Sequence, residues 1–209
     1  MNEQETTISA PNFKTAQFTI RGTSPLVINR FSAKAGEMMK AAQEAGSAAK
    51  KKGKVKEPKN FDECFQNARH IATEGWDGIS AMSLKHALVG ACRATNFKMT
   101  IAKIGFFVEP DGFDKVDGDP LVKITKGEPH KVEHHVRNAT GVADIRARPM
   151  WNAGWEAIVR IKFDADMFGL PDIANLLMRA GVQNGIHEGR ASSKMSVGMG
   201  WGSFEIVNT

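Results

Sequence analysis

The chain switches between a two-residue and a helical hydrophobic period, and the switches mark its elements. Ala16-Gln17-Phe18-Thr19-Ile20-Arg21 alternates apolar and polar positions and predicts a strand. Gly22-Thr23-Ser24-Pro25 predicts a turn, and Leu26-Val27-Ile28 a second short extended piece that ends at Asn29-Arg30-Phe31. After that the composition turns to Ala, Met, Glu, Gln and Lys, which predicts a helix capped by Ser32 and running to about Ala49. Its apolar stripe is weak. Phe61 to Ala72 predicts a short helix, broken by Gly75-Trp76-Asp77-Gly78. Leu84, Ala87, Leu88, Ala91 and Cys92 recur at helical spacing and predict a core-facing helix, capped by Ser83 and running to Thr95. Ile104–Val108 and Leu121–Ile124 are strand candidates, and residues 126–154 are polar and irregular, a long hairpin or a loop. From Trp155 to Phe163 the alternation returns, with Ala157, Val159, Ile161 and Phe163 on one face and Arg160 and Lys162 on the other. Pro171 suits the first turn of a helix. Ile173, Leu176, Leu177 and Ala180 form that helix's buried stripe, and Gly181 is placed to end it in the left-handed conformation. Phe204–Val207 is the last strand.

The order strand, helix, strand, strand, helix, strand predicts an α+β class with a ferredoxin-like βαββαβ core. Such an antiparallel sheet carries its helices on one face and leaves the other free for a ligand. The 209 residues fit a single domain over 1–209, with a flexible lysine-rich insertion at about 32–60 and an irregular one at about 126–154. A 42% hydrophobic content is enough for a core, yet no apolar run reaches the roughly 18 residues that a membrane span needs. The polar, acidic Met1-Asn2-Glu3-Gln4-Glu5 is unlike a secretory signal. Cys64 and Cys92 form no cluster. Free thiols in a reducing cytoplasm are the simplest expectation. The net charge of +5 suits an acidic partner.

The candidate chemistry gathers around phosphate. Glycines 181, 185, 189, 198, 200 and 202 crowd the segment before the last strand, with Arg190 and Lys194 among them. Gly185, Gly189, Gly198 and Gly200 can expose main-chain N–H groups to an anion, and the two cations add charge. Arg146, Arg148, Trp151 and Trp155 interleave cations with flat rings, the combination that tracks a single strand. Of the two tryptophans, Trp151 is the better stacking candidate and Trp155 the better core residue. Arg30 follows the opening turn and can line the same groove. Lys50, Lys51 and Lys52, with Lys54, Lys56 and Lys59, form a basic arm that would add to the salt dependence of binding. His130, His134 and His135 lack a matching Cys or carboxylate set, so no metal site is expected. His187 is a lone histidine inside the glycine segment, and general acid–base work needs a positioned partner.

Two segments carry a family resemblance. Ile20-Arg21-Gly22-Thr23-Ser24-Pro25-Leu26-Val27-Ile28 resembles the opening strand and turn of the RAMP superfamily, the repeat-associated RNA-binding proteins of CRISPR systems. Gly185-Ile186-His187-Glu188-Gly189-Arg190, followed by Gly198-Met199-Gly200-Trp201-Gly202-Ser203-Phe204, is similar to that superfamily's glycine-rich loop between the last helix and the last strand. The crRNA-coating backbone subunit has the most similar architecture. A group of bacteriophage proteins with a Gly-Thr-x-Pro-Leu turn and a Gly-Ile-x-Glu-x-Arg loop also resembles this layout. The stretch between Arg190 and Gly198 is long and holds Ser192, Ser193 and Ser196, a departure from the pattern.

The resemblance implies a non-enzymatic protein without a cofactor. It would coat single-stranded DNA or RNA irrespective of sequence, with phosphates on the loop and Trp or Phe stacking on bases. It would form a homo-oligomer or filament, have no membrane partner, and work in a bacterial host cytoplasm if phage-encoded, in replication, recombination or CRISPR-related processes. Two other classes follow from the same resemblance. One is an endoribonuclease using His187, and the other is a protein–protein or inhibitor module on the same fold. Asp144 is either a partner for Arg146 or, by analogy with a loop aspartate of some backbone subunits, a metal-holding residue for RNA cleavage.

Overall fold

A computed structural model describes residues 9–31, 33–44, 58–137, 141–194 and 198–207. It belongs to the α+β class. The alternating segment near the start forms β1 (Phe13–Gly22), and the alternating segment after Trp155 forms β9 (Glu156–Asp164). The two pair antiparallel along their whole length, with Phe18 opposite Val159 and Ile20 opposite Ala157. Between them come β2 (Leu26–Val27), α1 (Ala33–Glu44), α2 (Phe61–Asn67) and β3 (Gly78–Ser80). These are followed by α3 (Ala81–Ala91), α4 (Met99–Gly105), β4 (Phe106–Glu109) and β5 (Gly112–Phe113). Then come β6 (Pro120–Lys126), β7 (His130–Arg137) and β8 (Ala143–Trp151). After β9 stand α5 (Leu170–Arg179) and β10 (Phe204–Ile206).

The main sheet runs β10-β1-β9-β6-β3. Strand β4 pairs with the C-terminal half of β9 and β6 with its N-terminal end, so the two share one edge of β9. A second sheet, β2-β8-β7, stands apart. Helices α3 and α5 cover one face of the main sheet. Leu84, Leu88, Ile173 and Leu177 join Phe18, Ile20, Val159 and Ile161 in a single buried cluster. The opposite face carries polar side chains tied to one another. Arg21 reaches Glu156 at 2.9 Å, Lys126 reaches the same carboxylate at 3.2 Å, and Arg160 meets Asp111 at 2.6 Å. No described helix is long and apolar enough to cross a membrane.

Several boundaries differ from the sequence expectation. The helix expected over 61–72 stops at Asn67, after which Ile71 and Ala72 enter isolated β-bridges to Asp77 and Asp114. Its cap, Asn60, accepts the backbone N–H groups of Asp62 and Glu63. Helix α3 starts at Ala81, not at Ser83, because β3 runs straight into it. The last turn before Thr95 tightens to a 3₁₀ geometry. Residues 126–154 form the hairpin β7–β8. Gly181 does not end α5 in a left-handed turn. The helix continues as a π turn over Ala180–Asn184, and Gly185 takes the positive φ of 67°. Gly181 instead lets the last strand approach, since a Cβ there would lie 2.0 Å from the Phe204 carbonyl oxygen.

Candidate functional site

The two ends of the chain are knitted together. The backbone N–H of Gly202 donates to Pro25 O at 2.8 Å, that of Glu188 to Val27 O at 3.1 Å, and that of Ile186 to Gly202 O at 3.0 Å. This pairing lays the glycine loop over the opening turn and brings Arg190 to the same side as Arg30. Between them lies an open cavity of about 490 Å³, which Arg30, His70, Ser80, Ser83, His187 and Arg190 help to line.

Each of these side chains is held by a different element. Arg30 follows β2. Its backbone N–H donates to Ala68 O at 3.0 Å and its Nε donates to Arg69 O at 3.0 Å. The guanidinium is buried, and Nη1 lies 3.6 Å from Asp117 Oδ2, too far for a hydrogen bond. His70 is buried, with its Nδ1 3.0 Å from Asp114 Oδ2. Ser80 and Ser83 belong to the N-terminus of α3, where unpaired main-chain N–H groups and the helix dipole favour negative charge.

His187 closes that helix end. Its Nε2 accepts the Ser80 backbone N–H at 3.3 Å, and its own N–H donates to Ser83 Oγ at 3.2 Å. Its backbone is left-handed, at φ 60°. Burial first, then the nearby charges of His70 and Arg190, push its pKa down to about 3. The imidazole is therefore neutral, and with Nε2 accepting, its proton sits on Nδ1. Its ring centroid is 6.0 Å from that of His70. Arg190 donates from Nη1 to His187 O at 2.9 Å.

Among the described residues, Arg30 Nη1, Arg190 Nε, His134 Nε2 and Trp151 Nε1 are buried without a hydrogen-bond partner, and the two arginines line this cavity. A buried donor on a charged group that makes no hydrogen bond is costly. The cavity lining mixes the cations Arg30, Arg146 and Arg190 with the carboxylates Asp117, Asp119 and Glu188, and cations also gather near His86. Burial and then Arg190, Lys194, Arg93 and Lys103 push the pKa of His86 below its ordinary value. His70, Asp114 and Asp117 place ligand atoms within 4.8 Å of one another, a set that could take a cation. In the structure both carboxylates are engaged. Asp114 accepts the backbone N–H of Val116 at 2.9 Å and Asp117 that of Asp119 at 3.1 Å.

The sequence candidates divide. Arg30, Arg146, Gly189 and Arg190 meet at this cavity. Arg146 and Arg148 are partly neutralised there, since Glu188 lies 3.8 Å from the first and 2.7 Å from the second. Trp151 is corrected. Its side chain is 0% exposed, so it offers no face to a base, and Trp155 is equally buried with Nε1 donating to Ser24 O at 3.0 Å.

The glycines serve chiefly the loop's own packing. A Cβ on Gly185 would lie 2.8 Å from Trp201 O, on Gly189 2.4 Å from the Trp201 ring, and on Gly198 2.5 Å from Arg190 O. Gly200 is exposed with φ 71°. Lys194 is exposed at the loop's edge. Lys50, Lys51 and Lys52 lie outside the described residues. Asp144 is held by Lys59, whose hydrogen bond chiefly lowers its pKa, with Arg146 at 3.9 Å. His134 packs on Trp201 with centroids 4.8 Å apart. Sequence reasoning missed His70, Ser80, Ser83, Asp114 and Asp117. They come from three segments that only the fold brings together, and no local motif marks them.

The chain matches no protein-family model and no curated protein sequence.

Proposed function

We propose that the protein binds single-stranded nucleic acid by seating a backbone phosphate between the N-terminus of α3 and the glycine loop. The observation that carries this is that Arg30 and Arg190 line one cavity and each keeps a buried nitrogen, Nη1 and Nε, without a hydrogen bond. The positive end of the α3 dipole adds to the attraction for an anion. The core is read as ferredoxin-like. Support comes from the order β10-β1-β9 with β4 and β6 on the far edge of β9, and from helices α3 and α5 on one face. The resemblance of both chain ends to the RAMP superfamily supports the same reading, since those ends build this cavity. One domain covers only a few nucleotides, so copies coat a strand side by side, in phage replication, recombination or CRISPR-related processes in the bacterial cytoplasm.

The test is fluorescence anisotropy of labelled single-stranded DNA and RNA oligomers at two salt concentrations. Binding that weakens steeply with salt supports the reading, and the tighter ligand identifies the strand. No binding to either at low salt overturns it in favour of a protein-binding module. A second reading, an endoribonuclease, is favoured by one observation: neutral His187 and the Asp114-held His70 face the same cavity. Cleavage of RNA in EDTA that is lost in His187→Ala would establish it.

A further inference from the structure

We infer that Phe31 is the base-stacking platform of this cavity, taking on its ring the nucleobase next to the phosphate held by Arg30 and Arg190. The inference rests on the phosphate reading above and adds the part of the ligand that reading leaves out. Phe31 is 63% exposed and lines the cavity, while Arg30, the residue before it, is 6% exposed. Neighbouring Cα atoms are about 3.8 Å apart, so the buried cation and the exposed ring are within reach of one nucleotide. Isolated exposed apolar residues are ordinary on a protein surface. This one differs in lining a cavity shared with two arginines, each of which keeps a buried nitrogen without a hydrogen bond.

The four tryptophans are spent elsewhere. Trp151 and Trp155 are core residues. Trp201 lies between Gly189 and His134. Trp76 packs against Gly78 and Gly112, with Lys123 Nζ 6.0 Å from its ring centroid. Every base has a flat face, so stacking on Phe31 would add affinity without reading sequence. It would also favour a strand with bases over a ligand that carries phosphate alone.

The experiment compares an ordinary single-stranded oligomer with one of equal length made of abasic sites, each competing with a labelled strand. Wild type, Phe31→Ala and Phe31→Trp are measured. Phe31→Ala is expected to weaken the ordinary strand roughly ten-fold and leave the abasic strand unchanged. Phe31→Trp is expected to retain affinity, and its added fluorescence to be quenched by the ordinary strand only. Equal loss on both strands, or no loss on either, overturns the assignment of Phe31 while leaving the phosphate site standing. Failure of the wild type to bind either strand overturns both.

Discussion

The open face of the main sheet and the cavity beside α3 carry the same kinds of side chain but differ in how fully those groups are hydrogen-bonded. On the open face Arg21 and Lys126 share Glu156, and Arg160 has Asp111. Arg21 and Lys126 hold the Glu156 carboxyl below its usual pKa. In the cavity Arg30 and Arg190 each keep a buried nitrogen without a hydrogen bond, and Arg30 meets Asp117 only as an ion pair at 3.6 Å. A folding sequence ordinarily pairs its buried polar groups. The proposed phosphate site therefore lies at the rim, where the chain ends meet, and not on the free sheet face.

The largest effect that can break this contrast is structural. Trp151 pairs with Leu26 on the strand that leads to Arg30, and it is wholly buried. Trp151→Ala should cost about 3–5 kcal/mol in chemical denaturation, as large-to-small core changes do. A small cost would show that the ring is available for stacking after all.

Next comes pH. His187 has a folded pKa of about 3 against an ordinary 6.5. Below pH 6.5 the unfolded chain takes up this proton first, so stability falls as pH drops and does so until the folded pKa is reached. By about pH 5 the loss attributable to His187 is about 2 kcal/mol. His187→Gln should flatten that part of the stability–pH curve. An unchanged curve would mean the imidazole is solvated and the helix end open.

Glu188→Gln sharpens the comparison from the other side. It releases Arg146 and Arg148 at the cavity's edge. Affinity for a single strand should rise a few-fold and its salt dependence steepen, because two more cations become available to phosphates. The smallest effect belongs to the open face. Arg21→Ala should change affinity by less than about two-fold, because this arginine already has its carboxylate and lies away from the ligand.

What could be read from the sequence follows from how local each signal was. Strands β1 and β9 and helix α5 were legible because their apolar positions repeat within one element. The same alternation runs through Ala147, Pro149 and Trp151, which are buried, against Arg146 and Arg148, which are not. That period placed Trp151 inside. The cation–aromatic interleaving obscured it, because both patterns use the same residues. Helix α4 was missed because Met99-Thr100-Ile101-Ala102-Lys103 is too short to show a stripe. The glycine loop was read as a seat for an anion, whereas in the structure its glycines receive Trp201 and Arg190 from the same loop. Of the site, Arg30 and Arg190 were legible as cations beside turns. His70 and Asp114 were not, since their hydrogen bond joins residues 44 positions apart.

The most direct test of the phosphate cavity is the salt dependence of single-strand binding in Arg190→Ala measured beside wild type. The account predicts a loss of roughly ten-fold in affinity and a slope of log affinity against log salt that is shallower by about one. Equal affinity and equal slope in the two proteins would contradict it.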